Sequence, residues 1–173
     1  MKLKALIIAS SGVFVLVFSL LLFVAVLFSD EEDGGSHIQY GGVNVSAEVL
    51  AHKPLLEKYA REYGIEEYIN VLLAIIQVES GGTLEDVMQS SESLGLPPNS
   101  LSTEESIKQG CKYFSELVAS AEAKGCDLNT IIQSYNYGGG FLDYVSSRGK
   151  KYTSPLAESF ARDKSGGTKV TYT

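Results

Sequence analysis

An uncharged apolar run over residues 5–28 limits what this chain of 173 residues can fold into. At about 1.5 Å per residue, a helix of that length crosses a hydrocarbon layer of ~30 Å. A cleaved secretion signal is the alternative, but its apolar region usually has only about 7–15 residues and precedes a small-x-small cleavage site. The run is longer than that, and each candidate cleavage site has a bulky residue at a critical position. The sequence therefore predicts a retained transmembrane anchor followed by one compact domain.

The charges on either side of the run predict its orientation. Lys2 and Lys4 precede it, and the acidic residues 30–33 follow it. By the positive-inside rule the N-terminus faces the cytoplasm, and the domain lies outside the cell membrane. Apart from those two lysines, 12 basic residues stand against 21 acidic ones. This acidic balance argues against nucleic acid as a partner.

Composition divides the chain into four parts. Residues 1–29 form a cytoplasmic stub and the anchor, and residues 30–45 are acidic and then rich in Gly and Ser, which is typical of a linker. Residues 46–164 carry the patterns of a folded domain. Residues 165–173 again resemble a linker or tail.

Helical patterns cover most of the domain. Ser46 is predicted to cap a helix over residues 47–63, which Pro54 splits or kinks and Gly64 ends. Residues 66–79 are apolar on almost every side, which indicates a central buried helix. A long loop follows, and a capping box at residues 102–105 and a cap at Asp127 open the later helices. Those helices are predicted over residues 103–123, 127–135, 141–145 and 155–161. Strand signals are almost absent, so the fold is predicted to be mainly α.

Cys111 and Cys126 lie in a part of the chain that is predicted to be extracellular, where disulfides are common. If the third helix runs to residue 123, it carries the chain about 18 Å from Cys111, and three residues return at most about 10 Å. A disulfide needs Cα atoms within roughly 7 Å. Two unpaired thiols are therefore predicted.

Glu79 ends the central helix and directly precedes Gly81-Gly82 after one serine. Apolar surroundings and the negative end of a helix dipole both disfavour a charged carboxylate. A glutamate that stays protonated near neutral pH is what a general acid requires. From position alone, however, an ordinary exposed glutamate at a helix end remains the alternative.

Four short motifs occur in an order that resembles the lytic transglycosylase and goose-type lysozyme superfamily. They are Glu79-Ser80-Gly81, Met88-Gln89-Ser90, Ile107 with Gly110 and Tyr113, and Tyr135-Asn136 with Gly138. Residues 77–82 and 86–93 are most similar to the muramidase domain of CwlT-type cell-wall hydrolases of Gram-positive conjugative elements. The resemblance implies a lysozyme-like helical domain behind one N-terminal transmembrane helix.

The same resemblance implies a peptidoglycan glycosidase that cleaves the β-1,4 bond between N-acetylmuramic acid and N-acetylglucosamine, for local wall opening during conjugative transfer. The implied partners are glycan strands, the cytoplasmic membrane and conjugative secretion-channel proteins. Two alternatives stay open. One is a lytic transglycosylase that forms 1,6-anhydromuramyl products, and the other is a non-catalytic wall-binding module of a secretion apparatus.

Glu79 is implied as the catalytic acid. The loop before Met88 is short and lacks the Gly-Ala-x-Gly-Leu run that is usual in transglycosylases, and Asp86 lies there instead. An inverting hydrolase needs a second carboxylate to activate water, whereas a transglycosylase does not. Asp86 is therefore the predicted base, with a turn or cap residue as the alternative.

Six further residues are predicted to bind substrate. Ser80 would orient the sugar or Glu79, or else cap the helix. The others are Gln89, Ser90, Tyr113, Tyr135 and Asn136. Carbohydrate sites favour flat aromatic faces, and this chain has ten Tyr and no Trp. Tyr113, Tyr137 and Tyr152 are therefore candidates for stacking, although Tyr113 can equally be core packing.

No metal or cofactor is predicted. His37 lies in the expected linker and His52 stands alone in the first helix, so the sequence contains no ligand cluster. Neither histidine is near an obvious nucleophile, which also argues against a Ser or Cys peptidase.

Overall fold

The computed structural model describes residues 37–40 and 42–164. The predicted anchor over residues 1–29, residues 30–36 and 41 of the predicted linker, and the tail over residues 165–173 lie outside the described residues. Within the described ranges, none of the helices is both long and apolar enough to span a bilayer.

The described chain begins with a β-hairpin in place of the predicted linker. Strand β1 (His37–Tyr40) pairs antiparallel with β2 (Val43–Ser46), and His37 is opposite Ser46 in the register. Gly42 has a φ of +88° between the strands, a conformation that favours glycine. Val43 and Val45 alternate with more exposed neighbours and are buried. The segment predicted as a linker thus contains two strands that pair with each other.

Seven α-helices make up most of the described residues, so the mainly α prediction is confirmed. They are α1 (Ala47–Ala51), α2 (Lys53–Glu62), α3 (Ile69–Glu79), α4 (Thr103–Lys124), α5 (Leu128–Tyr137), α6 (Gly140–Ser146) and α7 (Ser154–Lys164). The 3-10 turn Glu66–Tyr68 precedes α3. A second 3-10 turn, Ser90–Leu94, follows the loop after α3. The described residues form two compact units, which divide within α4 after Ser115.

In the first unit, the predicted local signals have their expected effects. The Ser46 hydroxyl accepts a hydrogen bond from the Val49 backbone N–H at 3.3 Å, which caps α1. Pro54 lies in the first turn of α2 and so separates it from α1. Gly64 follows α2 with a φ of +67°. At the start of α4, the Ser102 N–H and hydroxyl both donate to Glu105 Oε2, at 3.1 and 2.6 Å.

The centre of the first unit is α3. Five successive side chains from Leu72 to Ile76 are completely buried, as the apolar pattern predicted. The elements that pack around a buried helix also fix the positions of its two ends. The position of Glu79, the last residue of α3, is therefore set by the neighbouring hairpin, α1 and the following loop.

The second unit contains α5, α6 and α7 around an aromatic cluster. Asp127 caps α5 by accepting a hydrogen bond from the Thr130 N–H at 3.0 Å, and it also accepts one from the Tyr152 N–H at 3.1 Å. The same carboxylate thus orders the start of α5 and the segment before α7. Cys126 and Cys111 are both free thiols, as predicted.

Candidate active site

Glu79 is a half-buried carboxyl group at the C-terminal end of α3. Burial raises its pKa from 4.5 to about 7, and the negative charges of Glu92 and Asp86 add to this rise. Desolvation has this effect because it penalises only the ionised form, and nearby carboxylates penalise it further. Glu79 therefore holds a proton in a large fraction of molecules at neutral pH, which a proton donor requires.

The hydroxyl of Ser80 is used by the protein backbone. It donates to the Val87 carbonyl at 2.8 Å and approaches the Ile76 carbonyl at 3.3 Å. It also accepts from the Gly82 N–H at 3.0 Å. These contacts fit the helix-cap alternative, and they fasten the loop after α3 to the end of that helix. A substrate contact by Ser80 stays a prediction.

Gly82 brings the loop after α3 against α1. A Cβ at this position would lie 2.7 Å from the Val49 backbone nitrogen, and its φ of +77° also favours glycine. His52 Nε2 lies 2.9 Å from the Gly82 carbonyl oxygen, so this histidine holds the loop. In the described part of the chain, no group of three or more His, Cys, Asp or Glu side chains is arranged to hold a metal ion.

Asp86 is completely buried and both of its oxygens accept hydrogen bonds. Oδ1 accepts from the Ser106 hydroxyl at 2.6 Å and from the Ser90 N–H at 3.0 Å, and Oδ2 accepts from the Ser91 N–H at 3.3 Å. A general base must reach the proton it removes, directly or through one water. The geometry therefore favours the turn-and-cap alternative over the predicted base, because the carboxylate faces three internal donors instead of solvent.

Gln89 and Ser90 belong to the same ordered loop. Gln89 adopts a left-handed backbone with a φ of +46°, and its Nε2 donates to the Asp86 carbonyl and to Asn99 Oδ1, both at 2.8 Å. The Ser90 side chain is buried, and its hydroxyl donates to the Ser106 carbonyl at 2.9 Å. Gln89 is half-buried and can still face a ligand, whereas the hydroxyl of Ser90 is turned into the protein.

Met88 packs directly against the glycine of the third motif. A Cβ on Gly110 would lie 2.5 Å from Met88 Sδ and 3.0 Å from Met88 Cβ, and Met88 is completely buried. The Ser106 hydroxyl, one turn earlier in α4, accepts from the Met88 N–H at 3.0 Å. The loop of the second motif therefore packs on α4 at Gly110, where only glycine leaves room for Met88. This contact joins the second motif to the third.

Gly110→Ala is expected to destabilise the protein by about 1–3 kcal/mol, because overpacking against buried Met88 outweighs the better helix propensity of alanine. The measurement is chemical denaturation followed by circular dichroism. Gly140→Ala is the matched control, because a Cβ there has its nearest neighbour at 4.0 Å, an ordinary contact. Equal stability of the two variants would contradict the packing argument.

Tyr113 lies on α4, in the same unit as Glu79, and is half-buried. The first unit thus contains six of the eight predicted site residues. These are Glu79, Ser80, Asp86, Gln89, Ser90 and Tyr113.

Tyr135 and Asn136 lie near the end of α5 in the second unit, and both are half-buried. The buried Asn136 Nδ2 atom has no hydrogen-bond partner within the described chain, and the same holds for Nε2 of Gln133, one turn earlier. Two buried amide donors on one helix therefore have no acceptor among the described residues. Gln133 was missed at the level of sequence, where a glutamine inside a helix carries no distinguishing signal.

Tyr137 and Tyr152 both contact an aromatic cluster of the second unit. Tyr137 stacks on Phe160 with ring centres 5.7 Å apart and meets Phe141 edge-on at 5.4 Å. Tyr152 contacts Phe141 at 6.4 Å. Both rings are half-buried and pack against the core cluster of the second unit, and their stacking on sugars stays a prediction.

Glu92 is an acidic residue near Glu79 that sequence reasoning did not single out. It lies in the 3-10 turn Ser90–Leu94 and is exposed, and its charge contributes more than that of Asp86 to the raised pKa of Glu79. The available signal was its place in the motif block over residues 86–93. A surface glutamate in a loop has no pattern that separates it from an ordinary solvated charge.

Comparison with known proteins identifies the domain. The family described as lysozyme-like matches residues 46–173. The bifunctional muramidase/DL-endopeptidase CwlT of Bacillus subtilis (strain 168) is 40% identical over 159 residues, which are 88% of this chain and 47% of that protein. An uncharacterized membrane protein of the same organism, YocA, is 35% identical over 158 residues, with 90% of this chain and 70% of that protein covered. The chain thus spans about half the length of CwlT.

A solved structure shares the fold. A crystal structure from Staphylococcus aureus Mu50, described as similar to a lipoprotein of the NLP/P60 family, superposes with a TM-score of 0.72 at 73% identity. The match covers 74% of this chain and 43% of that one. Pneumococcal vaccine antigen A homologs of Streptococcus pyogenes are 37% identical over 115 residues, covering 66% of this chain and 58% of theirs.

Proposed function

Because this chain belongs to the lysozyme-like family, we propose that it is a peptidoglycan glycosidase that uses Glu79 as its general acid. The observation that carries the proposal is the half-buried Glu79 carboxyl, which retains its proton near neutral pH. The similarity to a protein named as a muramidase supports the substrate class. The proposed target is the β-1,4 bond between N-acetylmuramic acid and N-acetylglucosamine.

In the proposed reaction, Glu79 donates its proton to the glycosidic oxygen as the bond to the muramic acid C1 breaks. Protonation matters because an alkoxide is a poor leaving group, and positive charge develops on the sugar ring in the transition state. A general acid of this kind contributes about 10²–10⁴-fold to the rate. The leaving N-acetylglucosamine then departs as a neutral alcohol, and Glu79 is left as a carboxylate.

After the glycosidic bond breaks, either water or an internal hydroxyl of the substrate forms the new bond to C1. We propose hydrolysis, in which water attacks and a reducing end forms. Transglycosylation is the second candidate, and a specific observation favours it. Asp86 has both carboxylate oxygens engaged by internal donors, so it offers no free base, and a transglycosylase works without one.

The product identifies the reaction. Purified domain is incubated with peptidoglycan from several Gram-positive species, and released muropeptides are analysed by mass spectrometry. Reducing muropeptides support hydrolysis, whereas 1,6-anhydromuramyl products, lighter by one water, support transglycosylation. Glycan binding without any release would support the alternative of a non-catalytic wall-binding module.

Activity is expected to fall as the pH rises above about 7. Because the reaction needs protonated Glu79, ionisation of a group whose pKa is about 7 removes the active form. The measurement is kcat/KM against pH, with circular dichroism at each pH to follow folding. A rate that keeps rising between pH 7 and pH 9 would contradict Glu79 as the acid.

For the biological setting, we propose that residues 5–28 anchor the domain on the outer face of the cytoplasmic membrane. The apolar run and the flanking lysines support this topology. An anchored domain acts only on nearby glycan strands. Such confinement suits local wall opening for a conjugative channel, which the likeness to CwlT-type hydrolases suggests.

A further inference from the structure

We infer that His52 and Gln77 are positioning residues of the proposed active site, which fix the backbone around Glu79 and thereby the direction of its carboxyl group. The inference rests on the proposed function, in which Glu79 is the general acid. Neither side chain takes part in a chemical step. Both act through residues 79–82, the segment from the last residue of α3 to Gly82, which we call the acid turn.

The acid turn contains two consecutive glycines. Gly81 and Gly82 have φ values of +59° and +77°. Because glycine loses more conformational freedom on folding than any other residue, a Gly-Gly step needs other groups to hold it in one conformation. The direction of a side chain at a helix end follows from the backbone that carries it. The groups that hold the two glycines therefore also orient Glu79.

One set of contacts comes from the junction of β2 and α1. Ser46 donates its backbone N–H to Gln77 Oε1 at 2.7 Å, and its hydroxyl lies 3.4 Å from the Gly81 carbonyl oxygen. The amide of Gln77 also extends towards the acid turn, since a Cβ on Gly81 would lie 4.0 Å from Gln77 Nε2. Gln77 precedes Glu79 by two residues and Gly81 follows it by two. The hairpin is therefore connected to the chain on both sides of Glu79.

His52, directly after α1, holds the end of the acid turn. Its Nε2 lies 2.9 Å from the Gly82 carbonyl oxygen. A carbonyl oxygen can only accept, so this ring nitrogen carries the proton. The backbone of α1 lies against the same glycine, because a Cβ on Gly82 would be 2.7 Å from the Val49 nitrogen and 2.8 Å from the Glu48 carbonyl carbon. Gly82 is thus in close contact with α1 and hydrogen-bonded to His52.

A second set of contacts comes from the loop after α3. The Ser80 hydroxyl donates to the Val87 carbonyl at 2.8 Å and accepts from the Gly82 N–H at 3.0 Å. Two segments that are distant in sequence, residues 46–52 and Val87, therefore hold the acid turn together. When the contacts of one segment are lost, those of the other leave the two glycines less restricted.

This arrangement matters for an acid catalyst. A general acid must lie within hydrogen-bond reach of the oxygen that it protonates, and a displacement of about 1 Å can cost about 10²-fold in rate. A looser acid turn also lets water reach the Glu79 carboxyl. Its pKa should then fall, because burial is the main cause of its rise to about 7. A positioning role therefore has two signs, a lower kcat and a decline in activity that begins at lower pH.

Two variants of His52 test this role. His52→Leu removes the donor and keeps an apolar side chain, whereas His52→Gln keeps an N–H group for the Gly82 carbonyl. His52→Leu is expected to lose about 10–10²-fold in kcat with little change in KM, and its decline at high pH should move to lower pH. His52→Gln should stay within a few-fold of wild type. Gln77→Leu, which removes the acceptor for the Ser46 N–H, should resemble His52→Leu.

Tyr59→Phe is the matched control. It removes a side-chain hydrogen bond of α2, from the Tyr59 hydroxyl to Glu104 Oε1 at 2.6 Å, which involves neither α3 nor the acid turn. All variants are assayed well below their Tm, and Tyr59→Phe should keep the kcat and pH profile of wild type. A wild-type kcat of His52→Leu would overturn the inference. Equal losses of kcat in His52→Leu and either Tyr59→Phe or His52→Gln would overturn it as well.

Glu79→Gln separates this inference from the proposed function. Wild-type muropeptide release by Glu79→Gln would contradict the proposed acid, and the positioning roles with it. If Glu79→Gln is inactive while His52→Leu keeps the kcat of wild type, only the positioning roles are wrong and the glycosidase proposal stands.

Discussion

Glu79→Gln is expected to reduce muropeptide release by about 10²–10⁴-fold, the contribution of a general acid. Gln has nearly the same shape and can hydrogen-bond to the same groups, but it has no proton that it can donate to the leaving oxygen. The change therefore removes the chemistry and leaves the site in place. The measurement is kcat/KM on purified peptidoglycan, together with glycan binding, which should be retained.

Stability provides the control for Glu79→Gln. In the folded protein the pKa of Glu79 is about 7, above its ordinary value of 4.5, so the ionised form is disfavoured by folding. This group therefore lowers stability progressively as the pH rises from about 4.5 through about 7. Gln removes that effect, so the Tm of the variant at pH 8 should equal or exceed that of wild type. Wild-type muropeptide release by Glu79→Gln would contradict Glu79 as the general acid.

Asp86→Ala is expected to cause the largest loss of stability among these variants, about 3–5 kcal/mol. The substitution leaves three buried donors without an acceptor, namely the N–H groups of Ser90 and Ser91 and the hydroxyl of Ser106. Desolvated donors without partners are more costly than an ordinary lost hydrogen bond. Urea denaturation at constant m-value measures the change.

Ser106→Ala is the comparison for Asp86→Ala, because it removes one donor and leaves the carboxylate with the other two. It should cost clearly less, and the double variant should cost less than the sum of the two single changes. A wild-type stability of Asp86→Ala would contradict the buried network. Asp86→Asn, assayed well below its Tm, should move the decline in activity at high pH to lower pH, because it removes a negative charge that helps to raise the pKa of Glu79.

Several features of the fold could be predicted because their causes are local. Ser46, Pro54, Gly64 and Asp127 act within one helical turn of their own position, so a reader of the sequence can place the helix ends that they produce. The burial of α3 follows from its continuous apolar pattern. The position of Glu79 at the C-terminal end of a buried helix was predictable for the same reason. The apolar pattern of the helix and the glycines that end it lie in one short segment.

Features that depend on distant partners could not be predicted. The hairpin formed because two short segments pair with each other, and neither has a strong strand pattern of its own. Tyr137 and Tyr152 are candidates for sugar stacking in the sequence, but in the structure both rings contact phenylalanines of the second unit's core. In both cases the outcome depends on which groups arrive from elsewhere in the chain.

By itself, the sequence determined the helical fold, the family motifs and the place of Glu79 at the end of an apolar helix. Only the tertiary structure showed how two acidic residues of the following loop differ in their surroundings. Asp86 and Glu92 are both acidic loop residues in the same motif block, and nothing local distinguishes them. Ser106, twenty residues away in sequence, donates a hydrogen bond to buried Asp86, while Glu92 remains exposed to solvent. The role of a carboxylate depends on what desolvates it and donates to it, and those groups come from another part of the chain.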